Sequence, residues 1–113
     1  MKVTAQYIEI ILNDDEGLCS IFIDWGQNGQ YISFAREENS DFVYCEFFDQ
    51  SNGVKLIPSL IKYFYKDRLL IFEVESPETF LPGQKEHYVE INLGELKFDE
   101  NDINASLKKL FRG

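Results

Sequence analysis

The sequence predicts a mainly β, α+β domain: an antiparallel β-meander of about seven strands, sandwich-like or one strongly twisted sheet, with one C-terminal helix. Three observations predict it. Apolar and polar residues alternate through most of the chain, which is the period of a half-buried strand. Turn-forming clusters such as Asn28-Gly29 interrupt that alternation at short intervals. Only the final segment changes to a helical period.

The first segment alternates on two phases. Val3, Ala5 and Tyr7 fall on one, and Ile8, Ile10 and Leu12 take over on the other, which predicts a bulge or a strand buried on both faces. Asn13-Asp14-Asp15-Glu16-Gly17 is a turn by composition, with Gly17 free to take a positive φ. Leu18 to Trp25 forms the second strand, with Cys19, Ile21, Ile23 and Trp25 on one face. Gly26-Gln27-Asn28-Gly29 closes it, and Tyr31 to Arg36 is the third strand. Phe42 to Asp49 is the fourth, followed by a turn at Gln50-Ser51-Asn52-Gly53. The adjacent Phe47 and Phe48 face opposite ways, so one of them must pack on the second face, under the helix or at an interface.

Leu60 to Lys66 reads as a strand and Asp67-Arg68 as the turn into Leu69–Glu75. An amphipathic helix over residues 56–66 competes, against Pro58 and the aromatic run Tyr63-Phe64-Tyr65. Ser76 to Gln84 carries Pro77, Pro82 and Gly83 and reads as a loop, and Glu86 to Leu93 is the seventh strand. Asp99 then suits an N-cap, with Glu100 and Asp102 in the first helical turn. Ile103, Leu107, Leu110 and Phe111 make one apolar stripe, and Lys108, Lys109 and Arg112 end the helix. The helix is expected to cover one sheet face. The connections suit antiparallel pairing throughout, because no crossover helix is available for a parallel sheet.

At 113 residues the chain is read as one domain, 1–113. A chain of that length buries about two-thirds of its unfolded surface, so neither metal nor disulfide is needed to fold it. With 44% apolar and 15% aromatic residues, it has the core that a disordered chain lacks. The start, MKVTAQYIEI, has no apolar run of signal-peptide length, and nothing approaches a membrane span. The expectation is a cytoplasmic protein whose Cys19 and Cys45 are reduced and serve packing.

Charge is the feature that bears on function. The net charge is −9, and residues 1–50 hold ten acids against Lys2 and Arg36, a balance of −8. Residues 51–113 hold ten acids against nine bases, a balance of −1. Such one-sided acid speaks against nucleic acid and anionic membrane as partners and for a cationic one if there is any charged partner, with solubility as the competing reason.

Catalytic patterns are scarce. His87 is the only histidine, and alternation puts it on the strand face of Val89 and Ile91, where a half-buried, hydrogen-bonded residue is the ordinary case. A pairing of Cys19 or Cys45 with His87 has no local signature behind it. Asp14-Asp15-Glu16 offers calcium-type oxygens without the spaced loop pattern. Nothing resembles a phosphate loop, a nucleophile elbow or a carboxylate pair set in a cleft. No enzyme and no cofactor is expected. Trp25, Tyr31, Tyr44, Phe47 and Phe48 read as core before they read as a ligand box.

One resemblance adds to this. Tyr31-Ile32-Ser33-Phe34-Ala35-Arg36, a short acidic gap, and then Asp41-Phe42-Val43-Tyr44-Cys45-Glu46 with Asp49-Gln50 resembles a β-rich family of small bacterial immunity proteins. These belong to polymorphic-toxin and contact-dependent growth inhibition systems. The likeness continues through Leu60–Tyr65, Leu69–Val74, the Glu90–Leu93 strand and the ending Leu107-Lys108-Lys109-Leu110-Phe111, roughly residues 31–111.

The resemblance implies an antitoxin that forms a one-to-one complex with a cognate toxin domain, a basic nuclease and by preference a ribonuclease. In a meander, the turn with Asp14, Asp15 and Glu16 and the turn with Glu37, Glu38 and Asp41 fall at the same end of the sheet. The expected toxin-binding surface is therefore those six acids, with Tyr31 and Phe42 beside them as anchors. A small-ligand β-module with an aromatic-lined interior, or a non-catalytic assembly subunit, is the alternative.

Overall fold

The structure is a computed structural model that describes residues 2–13, 15–26, 30–47, 49–74 and 88–112. Asp14, residues Gln27, Asn28 and Gly29 of the expected turn, Phe48, the expected Ser76–Gln84 loop and His87 lie outside the described residues. Two sheets face one another, and a helix closes one side. One sheet is a five-stranded antiparallel meander of β2 (Tyr7–Ile11), β3 (Leu18–Asp24), β4 (Tyr31–Glu37), β5 (Val43–Phe47) and β6 (Asp49–Leu56). The other has the order β1-β9-β8-β7, built from β1 (Lys2–Thr4), β7 (Ile61–Lys66), β8 (Leu69–Val74) and β9 (Tyr88–Asn92). The helix α1 spans Glu100–Phe111.

The mainly β class with its C-terminal helix stands as the sequence predicts, but four local expectations are corrected. The strands number nine among the described residues rather than about seven. The phase change near residue 6 is neither a bulge nor a doubly buried strand, because there the chain changes sheets. Ala5 N–H donates to Asn92 O (2.9 Å), and the next residue, Gln6, donates to Asp24 O (2.7 Å). The inward phase inverts because the core lies on opposite sides of the two sheets.

The third correction follows from the second. β1 pairs with β9 in parallel, Val3 opposite Ile91, so antiparallel pairing is not universal. No crossover helix is required, since the whole intervening domain makes the connection. Fourth, Gln50-Ser51-Asn52-Gly53 is not a turn but part of β6, and Phe47 pairs directly with Asp49. β6 is a sheet edge, where polar residues and glycine are tolerated. The strand read over Leu60 to Lys66 stands as β7 (Ile61–Lys66), and of the competing helix over 56–66 only Pro58–Leu60 is helical, as one 3-10 turn. The Asp67-Arg68 turn is confirmed, with both residues at positive φ (52° and 67°) as a two-residue hairpin of mirror type demands.

The interior is built from the inward phases. Ile21, Ile23, Ile32, Phe34, Val43 and Cys45 come from the five-stranded sheet, and Leu70, Phe72, Val89 and Ile91 from the other. All are fully buried. α1 does not lie on one sheet alone, as expected from its stripe, but touches β2, β3 and β4 on one side and β7 on the other. Its stripe Ile103, Leu107, Leu110 and Phe111 is buried. Phe34, Phe72 and Phe111 meet with ring centroids 4.5–5.6 Å apart, so one aromatic cluster joins both sheets and the helix.

Both helix ends are fastened. At the start, Asp99 Oδ1 accepts from the backbone N–H of Asn101 (2.7 Å) and Asp102 (3.4 Å). Tyr65 Oη donates to Glu100 (2.5 Å), and the Arg68 guanidinium lies 3.6 Å from the same carboxylate and 4.5 Å from the Phe98 ring centre. Arg68 also donates to the carbonyls of Gly94 and Leu96. At the far end, Arg36 of β4 donates to the carbonyls of Lys109 (3.3 Å), Leu110 (3.2 Å) and Arg112 (2.5 Å). These are helix-end acceptors with no partner inside the helix.

Cys19 and Cys45 are free and buried. Burial pushes the Cys45 thiol from an ordinary 9.0 up to about 12. Burial also raises Cys19, against a smaller opposing pull from the Lys109 charge. The stability that goes with a neutral Cys45 thiol is complete below pH 9 and is lost as pH rises towards 12. Urea midpoints measured across that window should fall, and Cys45→Ala should flatten the slope. An unchanged slope in that variant would place the alkaline sensitivity elsewhere. Among the described residues no helix is long and apolar enough to cross a membrane.

Candidate protein-binding surface

The two acidic turns do meet. Leu18, which opens β3, pairs with Glu37, which ends β4, and a Cβ on Gly17 would lie 3.4 Å from Glu38 Oε2. Gly17 has φ +80°, so the turn needs a residue without that Cβ. Asp15 and Glu16 are thereby brought beside Glu37 and Glu38, with Asp41 following in the next turn. Asp14 lies outside the described residues.

This end of the molecule is not a purely acidic patch, however. A recess of about 280 Å³ there is lined by Arg36, Lys109 and Arg112 as well as by Glu37 and Glu38. The bases arrive with the C-terminus of α1, where the helix dipole favours them, and Arg36 holds that terminus against the tips. The tip acids therefore sit among compensating positive charge.

The two proposed anchors part company. Phe42 stands at the tip, 48% exposed, with its backbone N–H bonded to Ser40 Oγ (3.1 Å). Tyr31 is the first residue of β4 and Glu37 the last, so at about 3.3 Å per residue they lie roughly 20 Å apart. Tyr31 cannot flank the tip acids. Its place is on the outer face of the five-stranded sheet, and that face is the more informative surface.

Period two decides what that face carries. The rows that cross it are given by the register: Tyr7, Asp24 and Tyr31 in one, and Glu9, Phe22, Ser33 and Glu46 in the next. Ile11, Ser20, Ala35, Tyr44 and Lys55 make a third. Tyr7 and Tyr44 are 49% and 41% exposed, too much for a face turned to the core. Tyr31 and Tyr44 thus belong to an outer surface and do not line an interior, which overturns the core reading of these two rings.

The aromatics on this face are ordered by carboxylates. Phe22 stacks on Tyr31 at 5.1 Å and 28°, and Tyr7 meets Phe22 edge-on at 6.1 Å. Tyr7 Oη donates to Glu9 (3.0 Å). Glu46 accepts from both Tyr31 and Tyr44, each at 3.3 Å and each on a different carboxylate oxygen. The hydrogen bond to Glu9, and then its charge, raise the Tyr7 hydroxyl above its ordinary value. Partial burial, and then the Glu46 charge and hydrogen bond, do the same for Tyr44. Both hydroxyls stay protonated and donate.

No protein-family model, curated protein or solved structure matches this chain. The candidate surface therefore rests on its own geometry. The outward positions of β2–β6 with described side chains carry Glu9, Asp24, Glu37 and Glu46 against Lys55. Of these, Asp24 Oδ1 is engaged with the N–H of Gly26 (3.1 Å). A second recess of about 310 Å³, lined by Leu18, Ala35, Phe42, Tyr44 and Lys55 among others, connects the face to the tip. Among the described residues, no group of three His, Cys, Asp or Glu is placed to hold a metal ion.

The sequence did contain a signal for this face. Tyr7-Ile8-Glu9 and Tyr44-Cys45-Glu46 repeat a Tyr-X-Glu spacing that puts ring and carboxylate on the same side of a strand.

Proposed function

We propose that this chain is an immunity protein that binds one cognate toxin domain and neutralises it. The toxin is a basic nuclease, by preference a ribonuclease, and the inhibitor masks its active site or substrate surface. The observation that carries the reading is the outer face of the five-stranded sheet, where Tyr7, Phe22, Tyr31 and Tyr44 sit among Glu9, Asp24 and Glu46. Aromatic anchors supply binding energy that exposed charges seldom do, and the carboxylates supply steering and choice of partner. The likeness of residues 31–111 to immunity proteins points the same way.

The test is co-expression with the C-terminal toxin domain encoded immediately upstream, scored by growth rescue and by co-purification as a one-to-one complex. Toxicity without rescue, or rescue without a complex, would overturn the reading. In the complex, Glu9→Lys with Glu46→Lys should slow association about tenfold or more at low salt and flatten its salt dependence. Reversing Glu37, Glu38 and Asp41 instead should do less, because Arg36, Lys109 and Arg112 share a recess with the first two of them.

A further inference from the structure

Glu46 is unusual among the acids of the outer face in its support. Its two oxygens each take one tyrosine hydroxyl, from Tyr31 on the neighbouring strand β4 and from Tyr44 on its own strand. A carboxylate oxygen has two lone pairs, so each keeps one acceptor position after the tyrosine is bound. Directly across the strand pair stands Ser33, a small residue. Tyr31 is itself stacked on Phe22. Tyr44 lies across Gly53 of β6 so closely that a Cβ there would collide with its ring. Glycine at position 53 is thus what lets the Tyr44 ring lie down over the neighbouring strand.

We propose that Glu46, held between Tyr31 and Tyr44, forms a socket for an arginine side chain of the bound partner. The inference rests on the reading of this face as the binding surface for a basic protein and names the partner chemistry at its centre. Arginine fits for three reasons. Its planar guanidinium can meet both free carboxylate positions at once in a fork. It can lie against an aromatic face and gain from the ring quadrupole. It also loses less hydration than an ammonium ion on leaving water. Lysine offers a single point charge and cannot do the first. Glu9 in the same cross-strand row and Asp24 opposite Tyr31 add negative potential, while Lys55 opposite Tyr44 borders the socket as the nearest described cation in the register.

The socket can be tested without any toxin. The isotope-labelled protein is titrated with N-acetyl-arginine amide and, separately, with N-acetyl-lysine amide at equal ionic strength, and backbone amide shifts are followed by NMR. The expected result is saturable shifts centred on Ser33, Tyr44 and Glu46, with the arginine compound binding several-fold more tightly. Glu46→Gln, which keeps the shape, should abolish that preference, and Tyr31→Phe with Tyr44→Phe should reduce it by loosening the carboxylate. Equal binding of both compounds, shifts centred elsewhere, or no saturation would overturn the socket.

The two proposals fail separately. A Glu46→Gln protein that captures the toxin domain with wild-type affinity would remove the socket and leave the inhibitor standing. An arginine preference at Glu46 with no toxin to neutralise would leave the socket and remove the inhibitor.

Discussion

Phe34→Ala is expected to lower the free energy of unfolding by about 3–5 kcal/mol, the cost of removing a large ring from a core that cannot close over the gap. Phe34 is fully buried, and its ring is 4.5 Å from Phe72 and 5.1 Å from Phe111. The deleted atoms carry the ring contacts of β4 with both β8 and α1. A domain of this size is stable by about 5–15 kcal/mol, so the variant sits near the limit of folding. Urea unfolding followed by fluorescence gives the number, with an unchanged slope showing that the unfolded state is the same. Phe34→Leu, which keeps most of the volume, should cost less than half as much. A loss below about 1.5 kcal/mol for the alanine variant would mean that the site relaxes and that the three-ring cluster is not the joint between the layers.

Arg36→Met should cost about 2–3 kcal/mol, since a charged donor is removed from several helix-end carbonyls while the aliphatic stem is kept. Arg36 Nε also donates to Ser40 O (2.9 Å), so the same side chain fixes the β4–β5 turn and the end of α1. The loss should therefore appear in two places. Amide hydrogen exchange should quicken in the last turn of α1 and around Ser40, while the first turn, capped by Asp99, keeps its protection. Arg36→Lys should recover little, because one ammonium cannot span carbonyls on Lys109, Leu110 and Arg112 together with Ser40. Uniform exchange along α1 in the methionine variant would sink the capping role.

How much of this could be read from residues alone depends on whether the deciding partner was local. β3, β4, β8 and β9 were legible because each has one wet and one dry face, and the register of a meander follows from its turns. α1 was legible at both ends, since Asp99 and the closing bases are signals within the helix itself. The change of sheets at Ala5-Gln6 was not. An inverted phase looks the same for a bulge, a doubly buried strand or a switch of sheets, and only the contact with Asn92 decides. Gln50-Ser51-Asn52-Gly53 has turn chemistry, but an edge strand tolerates the same residues.

The candidate surface divides in the same way. Adjacency of the two acidic turns followed from counting hairpins. The bases among them did not, because an apolar stripe tells which side of a helix is buried and not which end of a sheet it reaches. Tyr31 was placed with the tip acids by nearness in sequence, whereas a strand carries its first and last residues to opposite ends.

The parallel pairing of β1 with β9 has a consequence for how the chain acquires its shape during synthesis. Every strand from β2 to β6 neighbours one adjacent in sequence, so the five-stranded sheet can assemble as it leaves the ribosome. β1 emerges before all of them yet has nowhere to dock until Tyr88–Asn92 is free. Contacts of such long sequence separation close late and slowly. Until Tyr88–Asn92 emerges Lys2–Thr4 has no strand to pair with, and its docking on β9 ties the first described strand of the chain to the last.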